Sequence, residues 1–180
     1  MNKLIPFVIL LAPLAAMAQK GSRREPVPVP SIDLKRYAGL WYEIARMPNK
    51  FQKKCAKNTT AEYTLREDGK IDVVNKCVKE NGDTVSARGL AKSADHKTNA
   101  KLKVSFVNIL GIRLFWGDYW ILGVDEHYYW AVVGDPKRKY GWILCRKPQM
   151  SRAQREVANA VLMSEGYDPD WFVDTVQEEQ

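Results

Sequence analysis

From about residue 39 to residue 146 the chain is a succession of short alternations of apolar and polar positions, most of them closed by turn residues. The eight runs are LWYEIARM, TTAEYTLR, KIDVVNKC, TVSARGLAK, KLKVSFV, DYWILGVD, YYWAVVG and YGWILCR. A period of two over such lengths predicts strands with one buried face, and regular spacing of many short strands predicts an antiparallel sandwich or barrel. The turn Arg66-Glu67-Asp68-Gly69-Lys70 between the second and third runs tests the register. A two-residue Asp-Gly loop sets Leu65 opposite Asp72 and puts a carboxylate among apolar side chains. A three-residue loop with Gly69 left-handed sets Leu65 opposite Ile71, Tyr63 opposite Val73 and Ala61 opposite Asn75, giving one mostly apolar face that carries a single amide. The second register is the expected one.

Polar tips recur on the apolar faces. Leu102, Val104 and Phe106 alternate with Lys101, Lys103 and Ser105, and Tyr140, Trp142 and Leu144 lead on one face to Arg146. In the first run Trp41 and Tyr42 are adjacent, so one ring points inward and the other outward, with Glu43 and Ala45 following on the face of Trp41. A single polar tip is ordinarily satisfied by a local partner. Its recurrence on faces that converge inward predicts a partly hollow interior. After the strands, Ser151 and Gln154 form a capping-box pattern that opens a helix. Val157, Ala158, Val161 and Leu162 are expected on its packing side and Gly166 at its end. The tail residues Trp171, Phe172 and Val173 are apolar enough to pack as well.

At 180 residues, 46% hydrophobic and 27% charged, the chain fits one globular domain. Residues 1–18 differ in kind: Lys3, the apolar run LIPFVILLAPLAA and the small-x-small site Ala16-Met17-Ala18 predict a secretory signal peptide. Residues 19–32, with EPVPVPS, are expected to form an extended lead-in, and residues 33–180 the domain proper. With no cysteine near the cleavage site, export without a lipid anchor there is expected. In an oxidising compartment two of Cys55, Cys77 and Cys145 pair and one stays free, with three pairings open. The formal net charge of +7 favours anionic partners. His96 and His127 have no metal-ligand spacing and no nucleophile elbow is present, so no catalytic residue, metal or cofactor is expected and the chain does not read as an enzyme. The basic residues lie on loops without an aromatic stacking sheet, which argues against nucleic acid.

Three separated stretches carry a resemblance: Gly39-Leu40-Trp41-Tyr42-Glu43, Gly117-Asp118-Tyr119-Trp120 and Trp142-Ile143-Leu144-Cys145-Arg146. From about Asp33 onward the chain resembles the lipocalin family, most of all the bacterial lipocalins and their plant and animal relatives. The family often has Thr where Gly117 stands. The resemblance implies an all-β fold, an eight-stranded antiparallel up-and-down barrel closed at one end, with a C-terminal α-helix packed outside and a cavity for one small apolar ligand. It also implies that Trp41 plugs the closed end from inside, with Arg146 laid over its ring as a cation–π partner.

With Trp41 and Arg146 at the floor, up-and-down order places the loops after the first, third, fifth and seventh strands around the mouth. Those loops carry Lys50, Lys53, Lys54, Lys57, Lys79, Arg113, Lys137, Arg138 and Lys139 against Glu80, Asp83 and Asp135. The floor is mixed, Glu67, Asp68, Asp95, Asp125 and Glu126 being offset by Lys70, Lys92 and Lys97. Such a molecule is expected to meet an anionic membrane surface mouth first. NILGIRLFWG adds an apolar cluster there, to be read as membrane or ligand contact, as cover for the mouth, or as a homodimer contact. Cys55 and Cys77 fall at the same end and are expected to pair, leaving Cys145 as a buried thiol beneath the helix. The lining is expected to comprise Tyr63, Val73, Phe106, Tyr119, Ile121, Tyr140 and Trp142, with Glu43 and Asn75 as polar points. This chemistry suits one acyl chain, and the resemblance implies the same ligand class. The predicted role is binding and transport or storage of a fatty acid or lysophospholipid in the bacterial envelope, in the periplasm or peripheral to the outer membrane. A tetrapyrrole or other hydrophobic small molecule, a cavity enzyme acting on lipids, and an interaction protein with a filled barrel are the competing readings.

Overall fold

The structure is a computed structural model and describes residues 24–178, so the expected signal peptide and the first part of the lead-in lie outside the described residues. In chain order the elements are α1 (Leu34–Tyr37), β1 (Gly39–Arg46), β2 (Lys57–Leu65), β3 (Ile71–Val78), β4 (Thr84–Ser93), β5 (Lys101–Ser105), β6 (Val107–Ile109), β7 (Ile112–Leu114), β8 (Gly117–Val124), β9 (Trp130–Gly134), β10 (Gly141–Cys145), α2 (Arg152–Ser164), a short 3-10 turn (Pro169–Trp171) and β11 (Val173–Asp174). Strands β1 to β5 and β8 to β10 pair antiparallel in sequence order, and β10 returns to β1. The result is a closed eight-stranded barrel with the β6–β7 hairpin and β11 added. Closure removes the exposed edges that an open sheet of this length would carry.

The β2–β3 turn has the expected register, with Leu65 opposite Ile71, Tyr63 opposite Val73 and Ala61 opposite Asn75. Gly69 adopts φ +75°, the left-handed conformation that lets three residues close the hairpin. Two apolar clusters divide the molecule. Inside the barrel lie Trp41, Tyr63, Ile71, Val73, Leu102, Ile121, Val133 and Leu144. Outside, Trp120, Leu122, Trp130, Val132 and Ile143 pack under Ala158 and Leu162 of α2. The alternation along β8, β9 and β10 thus serves two cores at once.

Ser151 caps α2 by accepting from the backbone of Gln154, whose side chain reaches back to the Ser151 N–H. Gly123 lets the helix approach the wall, since a Cβ there would stand 2.8 Å from Val161. Gly166, at φ +78°, ends the helical segment. The packing stripe is narrower than its sequence pattern, because Val157 sits at the edge and is 51% exposed. Phe172 is buried against the outer core, whereas Trp171 and Val173 stay partly open.

At the closed end the lead-in is part of the barrel. The Val29 N–H donates to Ile121 O and the Ile32 N–H to Thr98 O, and both side chains join the interior cluster, so the packed unit begins before Asp33. Asp33 caps α1, which brings Tyr37 under Trp41. Trp41 is fully buried and donates through Nε1 to Tyr37 O at 2.8 Å. The Arg146 guanidinium lies 3.8 Å from the Trp41 ring centroid and donates to Leu40 O, Arg36 O, Ala38 O and Tyr128 O. One planar cation therefore ties α1, the start of β1, the β8–β9 loop and the end of β10 together.

Toward the mouth, β1 carries a bulge. Its pairing with β10 shifts between Glu43 and Ala45, and Ala45 turns into the outer cluster instead of continuing on the face of Trp41. An extra residue in one strand reverses the side-chain alternation beyond it, which a strict period of two cannot anticipate. The C-terminal segment then pairs with the diverging ends of β1 and β2. Thr175 N donates to Ile44 O and Asn58 N to Val176 O, while Gln177 Nε2 bridges Glu43 O and Thr59 O. Cys55 and Cys77 form a disulfide with Cα atoms 5.5 Å apart, pinning the first mouth loop to β3. Cys145 is a free, buried thiol.

Replacing Arg146 by Ala is expected to lower unfolding free energy by about 2–4 kcal/mol, since several carbonyls lose a charged donor. Arg146→Lys should recover less than half of that, because an ammonium cannot both stack and fork; urea denaturation of the three proteins measures both values. The double substitution Cys55→Ser/Cys77→Ser removes a cross-link between residues 22 apart in sequence. Chain entropy puts its cost at about 3 kcal/mol, read as a fall in denaturation midpoint that reducing agent reproduces in the wild type.

Candidate ligand cavity and mouth

Inward-facing side chains change from sealed to open along the barrel axis. Near the floor, Trp41, Leu102, Ile121 and Val133 have no exposed surface, and Val73 and Leu144 have almost none. Higher up, Ala61, Asn75, Val104, Tyr119 and Trp142 are half-buried although they point inward. At the rim Ala87, opposite Asn75 in the β3–β4 pairing, is exposed, and Phe106 is 39% exposed. Inward residues that keep contact with solvent in a closed barrel mark its open end. On β4 the small residues Gly89 and Ala91 stand opposite Val73 and Ile71 and are themselves buried. Phe106 crosses this wall, its ring lying where a Cβ on Gly89 would be.

The lower lining carries a linked set of phenols. Tyr119 OH meets Tyr37 OH at 2.7 Å and Tyr63 OH at 2.9 Å. Burial pushes the Tyr63 hydroxyl up to about 12 and holds Tyr37 and Tyr119 well above the ordinary tyrosine value, so all three are neutral at physiological pH. Tyr37 was not a sequence candidate. Its signal was present in Asp33, an N-cap followed by LKRY four residues before Trp41, but a single turn of helix is too short to stand out from a loop.

Glu43 faces inward and is buried, yet its carboxylate is occupied by the protein. Oε1 accepts from Arg46 Nη1 at 2.9 Å and from Thr175 Oγ1 at 2.6 Å, and Oε2 accepts from Gln52 Nε2. Gln52 in turn accepts from Trp142 Nε1 at 3.1 Å. The group expected to touch ligand instead ties the first mouth loop and the C-terminal segment to the wall. Gln52 and Thr175, which make this possible, gave no signal in the sequence because loop and tail residues acquire roles only through the fold. Asn75 differs: its Oδ1 is buried without a hydrogen-bond partner, as are Thr59 Oγ1 and Ser93 Oγ. Tyr140 stacks on Trp142 with centroids 6.1 Å apart, and Phe51 lies 5.8 Å from Tyr140, forming an aromatic strip at the rim.

The mouth is apolar at its edge and basic around it. The β6–β7 hairpin turns through Leu110 and Gly111, both at positive φ, and leaves Leu110 98% and Phe115 81% exposed. Ile109 and Ile112 of the same hairpin, and Phe51 in the first mouth loop, are exposed as well. Among the described residues, Lys50, Lys53, Lys54, Lys137 and Lys139 have no acidic partner, whereas Lys79 pairs with Asp83 and Lys57 with Glu178. Asp135 is turned inward to cap its own loop through the backbone of Lys137, Lys139 and Tyr140. Lys92, expected in a floor loop, belongs to β4 and lies 4.4 Å from the ring centroid of Trp116. Among the described residues no group of three or more His, Cys, Asp or Glu is placed to hold a metal, and no helix is long and apolar enough to cross a membrane.

Comparison with known proteins places this geometry. The temperature-induced lipocalin-1 of Arabidopsis thaliana is 41% identical over 149 residues, covering 81% of this chain and 80% of its own. The outer membrane lipoprotein Blc of Escherichia coli K12 is 38% identical over 146 residues, covering 81% and 79%. Among solved structures, insecticyanin from the tobacco hornworm Manduca sexta superposes with a TM-score of 0.68 at 26% identity, over 87% of this chain and 85% of that one. The model of the lipocalin-like domain matches residues 32–177, and the chain belongs to the lipocalin family.

Proposed function

We propose that this lipocalin carries one fatty acid or lysophospholipid in its barrel and exchanges it, mouth first, with an anionic membrane of the bacterial envelope. The observation that carries the reading is the gradient from a sealed floor to solvent-reached, inward-facing residues at the rim. Family membership supports the coarser statement, that a small hydrophobic ligand is bound. The bacterial relatives that are named as outer membrane lipoproteins support an envelope location. The apolar run before Gln19 fits export of this chain as well, with cleavage after Ala18.

An acyl chain suits the lining because each buried methylene contributes about 0.8 kcal/mol and asks nothing of the wall except contact. The unpaired lysines at the rim suit a carboxylate or phosphate head. The same lysines, with Leu110 and Phe115 at the same end of the barrel, suit a bilayer surface: the charges attract anionic lipid and the hairpin tip enters the headgroup region. The protein acts by binding, with Asn75 and the tyrosine hydroxyls as the interior polar groups left to orient cargo.

Delipidated protein titrated with palmitate and with a lysophospholipid should take up one molecule per chain by native mass spectrometry and quench Trp142 fluorescence. Absence of binding to either would defeat the reading, and a visible absorbance band in the purified protein would favour a tetrapyrrole. Co-sedimentation should be strong with phosphatidylglycerol vesicles and weak with phosphatidylcholine vesicles. Each surface lysine is worth about 1 kcal/mol there, so Lys53→Glu/Lys54→Glu should weaken partitioning more than about tenfold; Leu110→Asp/Phe115→Asp should weaken it even at low salt.

Ligand retention should also follow the state of the phenols. Their raised values mean that the folded barrel keeps its protons where the unfolded chain loses them. Their contribution to stability is intact below pH 10 and lost as pH rises toward about 12, with bound palmitate released over the same window. A pH series of denaturation midpoints, run with and without palmitate, measures this.

A further inference from the structure

The phenol set in the lower barrel holds one proton more than the protein can accept. Tyr37, Tyr119 and Tyr63 are neutral, so three hydroxyl protons are present, and only two hydroxyl contacts join them. However the two bonds are oriented, one O–H is left to donate elsewhere. Among the described residues no backbone or side-chain oxygen accepts it. Tyr37 and Tyr63 are closed off, at 1% and 6% exposure, while Tyr119 is half-buried and the most accessible residue of the three. The arrangement in which both neighbours donate to Tyr119 turns the spare proton into the lining.

Next above this donor is a group with the complementary need. Asn75 stands two cross-strand pairs above Tyr63 and Val73, on the same inward face, and its buried Oδ1 has no partner. Thr59 Oγ1, two residues nearer the mouth than Ala61 on β2, is likewise buried and unpartnered. Across the barrel Ile121, Val133 and Leu144 offer hydrocarbon alone. A plain alkyl chain would fit the apolar wall and leave the tyrosine donor and the asparagine acceptor both unmet, each a costly state when buried. A hydroxyl group accepts and donates at once, and it serves whichever amide atom of Asn75 faces it.

We propose that the cavity selects an acyl chain bearing a hydroxyl group, lodged between the tyrosine set and Asn75. This rests on the reading of the protein as a carrier of acyl lipids and narrows the cargo within it. The oxygen lies along or at the end of the inserted chain, away from the acidic head, so the barrel recognises the tail of its ligand as well as the rim recognises its charge.

The test is a comparison of dissociation constants for palmitate and a positional series of monohydroxy palmitates. At least one isomer is expected to bind wild-type protein about fivefold tighter than palmitate. In Tyr119→Phe that advantage should vanish or reverse. Tyr63→Phe should keep it, because two phenols joined by one bond still leave a proton over. Asn75→Leu, which leaves the phenols untouched, should favour palmitate and guards against a folding defect in the Tyr119 variant. Equal affinity for palmitate and every isomer, as expected if a water molecule satisfies the set, overturns the proposal. So does a preference that survives both Tyr119→Phe and Asn75→Leu. Failure of all the acids to bind would instead sink the carrier reading itself.

Discussion

The guanidinium of Arg146 resting on the indole of Trp41 is the contact from which the rest of the architecture follows. A barrel must end somewhere, and the end is where backbone carbonyls lose their strand partners. Here a single side chain collects five of them from α1 and its cap, β1 and the β8–β9 loop while covering an aromatic face that would otherwise meet water. Arginine is suited to both tasks because its charge is spread over a plane: the edge donates and the face stacks. With that end sealed, the loops at the other end need not close, and they are left to be apolar and basic.

The mouth half is built differently. Its wall is not held by a continuous ladder between β1 and β2, for β1 bulges and the two strands part. The gap is filled by residues 173–178, and a buried carboxylate organises the joint. Glu43 engages Arg46 beside it, Gln52 in the first mouth loop and Thr175 in the tail. A buried charge with this many donors is a matter of geometry more than of net stability, because its desolvation offsets much of what the bonds contribute. What it does is hold three segments in one arrangement.

How far the sequence could be read depended on whether a residue's role was periodic. The barrel strands, the β2–β3 register, the capped helix and the paired Cys55 and Cys77 all rest on patterns that repeat or on simple ordering along the chain. The bulge at Glu43 and Ala45 breaks the period by one residue and leaves no mark in composition, so strict alternation puts Ala45 inside where the fold turns it outward. Glu43 was read as a polar point facing cargo because its partners come from a loop and a tail that only the folded chain brings near. Tyr37 was invisible for a related reason, lying in one turn of helix under the barrel. Of the lining, Tyr63, Tyr119 and Trp142 were legible as inward rings, but not the hydroxyl contacts that leave a proton over.

The filling of the β1–β2 gap from the far end of the chain bears on when the vessel becomes watertight. The contact between Thr175 and Glu43 spans 132 positions, so this seam is among the most distant joins in the molecule. Such joins require a long loop to close before they are rewarded. A nascent chain can curl its early staves and still leak along one side until residue 177 arrives to bridge Glu43 and Thr59. Closure of that side therefore waits on the last segment of the chain.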